Sequence, residues 1–182
     1  MNSVDLLLNR QSNPLLVAPA PTEEHLDLIL KAGMRVPDHG GLQPWHFTVF
    51  KEDRLALLSD IFVEATMHKN ADESKQIKAK NMPFRAPLII VVATQYQEHE
   101  KVPNQEQLIA AGCCVQAMQM AAFAMGYGAM WRTGAMSYNT VVKEKLNVGL
   151  NNDIVGFLYI GSIAKSLANK KPKPYLNKVT YF

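Results

Sequence analysis

The fold of this chain is decided by one long stretch, Glu106-Gln-Leu-Ile-Ala-Ala-Gly-Cys-Cys-Val-Gln-Ala-Met-Gln-Met-Ala-Ala-Phe-Ala-Met125. After its first turn the stretch is built almost entirely from Ala, Met, Gln and Cys, and Gly126 follows it, as expected at the end of a helix. Its residues are apolar on most faces, whereas a surface helix shows a wide charged face. The stretch therefore predicts a long helix that is buried nearly all round, either at the centre of one fold or between two subunits.

Apolar runs on both sides of this helix predict a sheet. Residues 87–93, Pro-Leu-Ile-Ile-Val-Val-Ala, form a short run rich in β-branched residues, which is typical of a buried strand. The remaining strands are predicted at residues 46–50, 129–132 and 154–160. Helices are predicted at residues 4–10, from Thr22 toward Pro37, at 53–67 and at 140–146, with an exposed helix or loop at 68–80. The sum is an α+β fold, with a central mixed, largely antiparallel sheet flanked by helices.

The length and composition suit a single domain over residues 1–182. A chain of this length with 48% hydrophobic residues can build one core, whereas two domains would be cramped. The net charge is +3, but the basic residues are scattered. Their one dense group, Lys170-Lys171-Pro172-Lys173, is interpreted as a solvated loop. Because no aromatic-rich basic surface accompanies it, we do not expect binding to nucleic acid.

Cysteine usage and the apolar runs indicate a soluble, cytoplasmic protein. Cys113 and Cys114 are adjacent among Ala, Met and Val, so they are interpreted as small buried core residues and not as a disulfide framework. The N-terminus lacks a basic segment followed by a long apolar core, and the longest apolar runs fall short of the ~20 residues that a membrane span needs. No metal site is expected, because no Cys or Glu completes a zinc pattern with His39 and His46.

Three short polar segments carry the functional information. They are Arg10-Gln-Ser12, Met34-Arg-Val-Pro-Asp-His-Gly-Gly-Leu-Gln-Pro-Trp-His46 and Gly128-Ala-Met-Trp-Arg-Thr-Gly134. No segment is specific alone, but their order and spacing resemble the nitroreductase family of FMN enzymes, and within it the small YdjA-like branch of NAD(P)H nitroreductases. The resemblance covers nearly the whole chain, through residues 84–90 and 155–161 to the final Val-Thr-Tyr-Phe.

The resemblance implies a nitroreductase-like fold and a homodimer with two FMN sites at its interface, with the long helix at the dimer core. Carried over residue by residue, the implied FMN contacts are Arg10, Gln11, Ser12, Arg35, His39, Trp131, Arg132 and Thr133. Of these, Arg35 and His39 would come from the second subunit. The implied contacts to NADPH or NADH are Ala121, Ala122, Phe123, Ala124, Met125 and Gly126, for which plain packing is the alternative.

The chemistry of FMN gives several of these residues a role. An Arg and a Ser two residues apart can bind a dianionic phosphate through charge-assisted hydrogen bonds, although Arg10 and Ser12 also fit a capped helix end. A cation or donor near N1 and the C2 carbonyl of the flavin favours its reduction, and Arg35 and His39 could serve there. Their alternatives are an Arg that complements a helix C-terminus and a simple loop histidine. For Arg132, the alternative to a phosphate or ribityl contact is a solvent-edge position.

Two departures from the family pattern bear on flavin binding. Gln11 stands where the family commonly has a second Arg, so phosphate binding is expected to depend more on Arg10 and Arg132. Pro37-Asp38-His39 replaces a Pro-Ser-Ser-like stretch ahead of the Gln-Pro-Trp turn, as in the YdjA-like branch. Gly40-Gly41 follows and is expected to loosen the loop.

The expected activity is a ping-pong reaction in which NAD(P)H reduces FMN, and a nitroaromatic, quinone or similar small acceptor then takes hydride. No catalytic side chain is required, because the cofactor carries the chemistry. One alternative keeps the flavin without the turnover, as a flavin-binding or flavin-delivery protein. Another is a hydrolase with Asp38 and His39 as an acid-base pair and Ser12 as a distant nucleophile, which the absence of a strand-elbow motif around Ser12 disfavours.

Overall fold

The structure is a computed structural model and describes residues 2–67, 72–168, 170–171 and 173–182. The element predicted at residues 68–80 therefore lies partly outside the described residues, as does Pro172 of the basic group. The other members of that group, Lys170, Lys171 and Lys173, are exposed, in agreement with a solvated loop.

Six α-helices are formed by the described residues, and four of them begin with a side-chain cap. They are α1 (Ser3–Asn9), α2 (Glu23–Gly33), α3 (Arg54–Met67), α4 (Glu73–Asn81), α5 (Asn104–Ala124) and α6 (Thr140–Lys145). The caps are Asn2, Thr22, Asp72 and Asn139, each of which accepts a hydrogen bond from a backbone N–H of the first turn. Single 3-10 turns lie at His39–Gly41, Pro83–Arg85, Ala135–Tyr138 and Leu176–Lys178.

Five strands form one sheet around the last and longest of them. They are β1 (Leu16–Val17), β2 (Trp45–Lys51), β3 (Leu88–Thr94), β4 (Gly128–Arg132) and β5 (Ile154–Ile163). Strand β5 pairs with β1, β3 and β4, while β2 pairs with β3. The predicted α+β fold is confirmed. All these pairings are antiparallel, so the described strands contain no parallel pair of the kind a mixed sheet includes.

Strand β3 is buried on both faces and divides the molecule into two cores. Ile89 and Val91 join a core with α3 and α6 on one face of the sheet. Leu88, Ile90 and Val92 join a second core with α2 and α5 on the other face. The division follows from the alternation of side chains along a strand, and it explains why β3 is a continuous apolar run.

Helix α5 has one buried face and one open face. The buried residues are Gln107, Ala110, Ala111, Cys114, Val115, Met118, Gln119 and Ala122. The opposite face leaves Ile109 59% exposed and Gln116 exposed, with Cys113 partly buried. The prediction of a helix buried nearly all round is therefore wrong within a single chain, because the sheet covers only one side of it.

The same helix is long and apolar enough to cross a membrane, by length and composition alone. Glutamines interrupt the apolar run of this helix, but they do not lower its mean hydropathy below that of a possible membrane span, so the prediction that the apolar runs are too short is wrong by composition alone. The core helix of a soluble domain passes the same test, and the buried face of α5 packs on the sheet.

Candidate cofactor-binding site

The segment Arg10-Gln-Ser12 follows the end of α1 and lies against the start of β4. The Asn13 backbone N–H donates to the Ala129 carbonyl at 3.0 Å, which fixes the extended segment beside the strand. Arg10 Nη1 donates to Ser12 Oγ at 3.4 Å, and Gln119 Nε2 of α5 donates to the same oxygen at 3.3 Å. The structure thus brings Arg10 and Ser12 together, and it adds Gln119, which the sequence did not single out.

The Arg10 guanidinium is free of any carboxylate partner in the described part of the chain. Its hydrogen bond goes to the neutral Ser12 hydroxyl, and the ion pairs of the described residues do not include it. A guanidinium beside a hydroxyl supplies the donors that a phosphate dianion requires. The residues present at this position therefore fit a phosphate group.

Gln11 contacts the segment that follows β5. Its Nε2 donates to the Leu167 carbonyl at 3.3 Å, and the neighbouring Asn13 Nδ2 donates to the Lys165 carbonyl at 3.1 Å. Gln11 Oε1 is buried without a hydrogen-bond partner among the described residues. The position at which the family commonly has a second Arg thus ties the C-terminal segment to the N-terminal loop.

The residues at the end of β4 point to both faces of the sheet. Trp131 packs in the core of α5, and its Nε1 donates to the Val155 carbonyl at 3.1 Å. Arg132 lies on the opposite face, with its guanidinium carbon 5.5 Å from the ring centre of Tyr159. Thr133 is exposed beyond the strand. The described contacts therefore do not bring the Arg132 side chain to Ser12, since Ser12 contacts α5 on the other face.

The loop after α2 has a defined shape at its two glycines. Gly40 and Gly41 have φ values of 77° and 66°, a conformation that L side chains rarely adopt. Asp38 Oδ2 accepts a hydrogen bond from the Gln43 backbone N–H at 2.7 Å and closes the turn. Both glycines thus adopt a backbone conformation that favours glycine, while the expected loosening of the loop stays a prediction.

Arg35 and His39 are both exposed on this loop. His39 Nδ1 lies 2.7 Å from Glu106 Oε2 in the first turn of α5, in an exposed pair. With Nδ1 engaged, the Nε2 atom of the ring is the one available to a ligand. Arg35 is in none of the ion pairs of the described residues.

The polar group around Arg10 and Ser12 and the polar group around Arg35 and His39 lie near opposite ends of α5. Gln119, which contacts Ser12, is 13 residues along the chain from Glu106, which contacts His39. At 1.5 Å per residue this separation is about 20 Å along the helix axis. Within one chain, therefore, the Arg10 and Ser12 pair is remote from Arg35 and His39.

The segment 121–126 has the contacts of a helix end. Ala122 is fully buried, and Gly126 has a φ of 84° where the helix stops. Phe123 lines a small cavity of about 160 Å³ together with Gln11 and Asn13. The structure thus places this segment beside the N-terminal loop, and the contacts that its described residues make are packing contacts.

The contacts do not assemble a hydrolase site from Asp38, His39 and Ser12. The Asp38 carboxylate contacts the loop backbone, and His39 contacts Glu106. Ser12 contacts Arg10 and Gln119 instead of a histidine. The residues that the structure describes also hold no group of three or more His, Cys, Asp or Glu that could bind a metal ion.

The chain belongs to the nitroreductase family, because the model of that family matches residues 9–162. It is 44% identical, over all of both chains, to the Escherichia coli K12 protein described as "Putative NAD(P)H nitroreductase YdjA". It is also 37% identical to a Haemophilus influenzae protein described as an NAD(P)H nitroreductase in the same terms, over 89% of each chain. The predicted family is confirmed, and with it membership in a family of oxidoreductases.

Solved structures share the fold over the whole chain. A nitroreductase-like family protein from Bacillus cereus superposes with a TM-score of 0.87 at 21% identity, over 100% of this chain and 96% of that one. A nitroreductase with bound FMN from Bacteroides fragilis superposes with a TM-score of 0.76 at 18% identity, over all of both chains. The predicted nitroreductase-like fold is thereby confirmed.

Proposed function

We propose that the protein is a soluble, cytoplasmic, FMN-dependent NAD(P)H oxidoreductase that reduces nitroaromatics, quinones or similar small acceptors by a ping-pong hydride mechanism. The observation that carries the proposal is the Arg10 and Ser12 pair, whose guanidinium has no carboxylate partner among the described residues. Family membership, the names of the E. coli and H. influenzae relatives and the FMN of the B. fragilis structure support the cofactor and the donor.

In this proposal Arg10 and Ser12 bind the phosphate of FMN. Gln119 orients the Ser12 hydroxyl, because its donated hydrogen bond leaves the Ser12 proton for a phosphate oxygen. Trp131, Arg132 and Thr133 contact the flavin through the backbone at the end of β4 and through the exposed Thr133 hydroxyl. Bound FMN supplies the hydride acceptor and donor, so no nucleophilic side chain is needed.

We further propose a homodimer in which each FMN site is completed by the partner. The open face of α5 carries small and apolar residues at helical spacing, namely Ile109, Gly112, Cys113 and Met120, with the polar Gln116 among them. A second copy packed on this face would bury it, as the hydrophobic effect favours. If the two α5 helices run in opposite directions, the Glu106 end of one lies near the Gln119 end of the other. The Arg10 and Ser12 pair of one chain would then lie near Arg35 and His39 of the other, whereas one chain keeps these two groups about 20 Å apart.

In that arrangement Arg35 and His39 of the second copy act at the pyrimidine edge of the flavin. Arg35 brings a cation that takes part in none of the ion pairs among the described residues, and His39 presents Nε2 while Glu106 holds Nδ1. Positive charge and donors at this edge stabilise the charge that develops on reduction. NADPH or NADH would contact residues 121–126, with the resemblance as the support for that placement.

The visible spectrum of the FMN-loaded protein under anaerobic conditions tests this function. We expect flavin absorbance to bleach on addition of NADPH or NADH and to return on addition of menadione or a nitroaromatic. Bound flavin that never bleaches would favour the flavin-delivery alternative, and a protein that binds no flavin would overturn the assignment.

A dilution series tests the shared site separately. Flavin should be released as the dimer dissociates, because one chain lacks half of the contacts. Retention of FMN by a monomer, shown by sedimentation at the same concentration, would contradict the shared site while leaving the reductase activity untouched.

A further inference from the structure

A second cavity, of about 400 Å³, lies on the face of the sheet opposite the Arg10 and Ser12 pair. Its apolar walls are Phe62, Met82, Met130, Met136 and Phe157. Arg132, Thr133 and Gly134, at and just beyond the end of β4, also line it. Its volume lies within the range of about 300–1,000 Å³ that is usual for small-molecule sites.

Three cationic side chains border this cavity, namely Lys78, Arg85 and Arg132. None of its lining residues is acidic, and the ion pairs among the described residues include none of the three cations. Arg132 Nε is buried without a hydrogen-bond acceptor in the described part of the chain. A concave surface with one sign of charge and apolar walls concentrates the field, so it attracts an anion.

The cavity also contains a phenol. Tyr159 is 3% exposed, lines the cavity and lies under the Arg132 guanidinium. Burial raises the pKa of Tyr159 to about 12, although the charges of Arg132 and Arg85 act in the opposite direction. The hydroxyl therefore stays protonated and can donate a hydrogen bond. Arg85 and Arg132 line the same cavity as Tyr159.

We propose that this cavity is a second ligand site, which binds the carboxylate of a small organic acid with an apolar body. Arg85 and Arg132 supply planar forks of N–H donors that match a carboxylate, and Tyr159 supplies an O–H donor. Lys78 adds charge from the exposed rim. The Phe and Met side chains take the apolar body. This site is independent of the phosphate position, which lies on the α5 face of the sheet.

Calorimetric titration of the FMN-saturated protein with benzoate tests the proposal. We expect one benzoate per chain, with an affinity at least about tenfold lower in Arg85→Gln and partly retained in Arg85→Lys, which keeps the charge and loses the fork. Lys78→Gln, at an exposed position, should weaken binding a few-fold without any effect on folding. Arg54→Gln is the matched control, because Arg54 is an exposed cation of α3 outside the cavity.

Two results would overturn the proposal. The first is no measurable binding of benzoate, or binding that Arg85→Gln and Lys78→Gln leave unchanged. The second is binding to the FMN-free protein that is lost on saturation with FMN, since this would place the ligand at the flavin position and not behind the sheet. Neither result bears on whether the protein is a flavin reductase, which the bleaching experiment decides.

Discussion

The two faces of the sheet at strand β4 treat their polar groups in opposite ways. On the α5 face, Gln119 donates hydrogen bonds to Ser12 Oγ and to the Ala129 carbonyl of β4, and Arg10 also donates to Ser12 Oγ, so the protein itself holds these groups in place. On the other face, Arg132 and Tyr159 lie against each other, and the Arg132 Nε atom has no acceptor among the described residues. The α5 face therefore holds a hydroxyl and an amide in a fixed position beside Arg10, whereas the buried Arg132 Nε atom of the other face still lacks an acceptor among the described residues.

Arg10→Ala should have the largest effect, because it removes the guanidinium beside Ser12, which has no carboxylate partner in the described part of the chain. Loss of a charge-assisted hydrogen bond to phosphate should lower FMN affinity by about 10- to 100-fold, about 1.4–2.8 kcal/mol. Quenching of FMN fluorescence on titration measures it, with Arg54→Ala as the control for a lost surface charge. Equal affinities of the two variants would contradict a phosphate site at Arg10.

On the face that carries Arg132 and Tyr159, the Tyr159→Phe variant should change how the free energy of unfolding depends on pH. The folded-state pKa of Tyr159 is raised to about 12, above its usual value near 10. The folded chain therefore keeps a proton that the unfolded chain loses, and the free energy of unfolding falls as pH rises from about 10 to 12. One proton contributes a slope of about 1.4 kcal/mol per pH unit, so the variant should gain about 1–2 kcal/mol relative to wild type at about pH 11.

Urea unfolding of both proteins at about pH 9 and about pH 11 measures this difference. Tyr96 and Cys114 also have pKa values raised to about 12 by burial, so both proteins should lose stability at high pH. The comparison isolates Tyr159, because those two groups are present in each. If the free energy of unfolding fell by the same amount in both proteins between these two pH values, the pKa of Tyr159 would not be raised by folding.

On the α5 face, Gln119→Leu should have a smaller effect on FMN affinity than Arg10→Ala. The variant loses the donor to Ser12 Oγ and to the Ala129 carbonyl, but Ala129 still accepts from the Asn13 backbone. We expect a loss of about 1 kcal/mol in the free energy of unfolding and a few-fold loss of FMN affinity. A double-mutant cycle with Ser12→Ala measures the coupling, and strictly additive effects would mean that Gln119 does not orient Ser12.

Glu106→Gln should have the smallest effect on stability, less than about 1 kcal/mol, because the pair with His39 is exposed at both side chains. If His39 acts at the flavin, the variant should still change the rate of flavin reduction by NADPH a few-fold. Stopped-flow absorbance measures that rate, with Glu24→Gln, an exposed residue of α2, as the control. A change in stability without a change in rate would make the pair merely structural.

Much of the architecture was predictable from the sequence because its signals are local. The run at residues 87–93 became β3, and the Thr22 cap began α2, since strand propensity and capping act within a few residues. The pairing of Arg10 with Ser12 was also predictable, because the two are close in the chain. The contact of Gln119 with Ser12 was not predictable, because the two residues are 107 positions apart in the chain. Nothing in the local sequence distinguishes Gln119 from any other glutamine of a buried helix.

The sequence by itself determined the family, the α+β class and the position of the polar segments, because these depend on residue order and on short-range patterns. Only the tertiary structure decided that α5 is buried on one face, since the extent of a helix that a sheet covers depends on packing between distant elements. The tertiary structure also decided on which face of the sheet the Arg132 side chain lies. Alternation along β4 places that guanidinium over Tyr159, on the face away from Ser12, and strand pairing sets which face each residue takes.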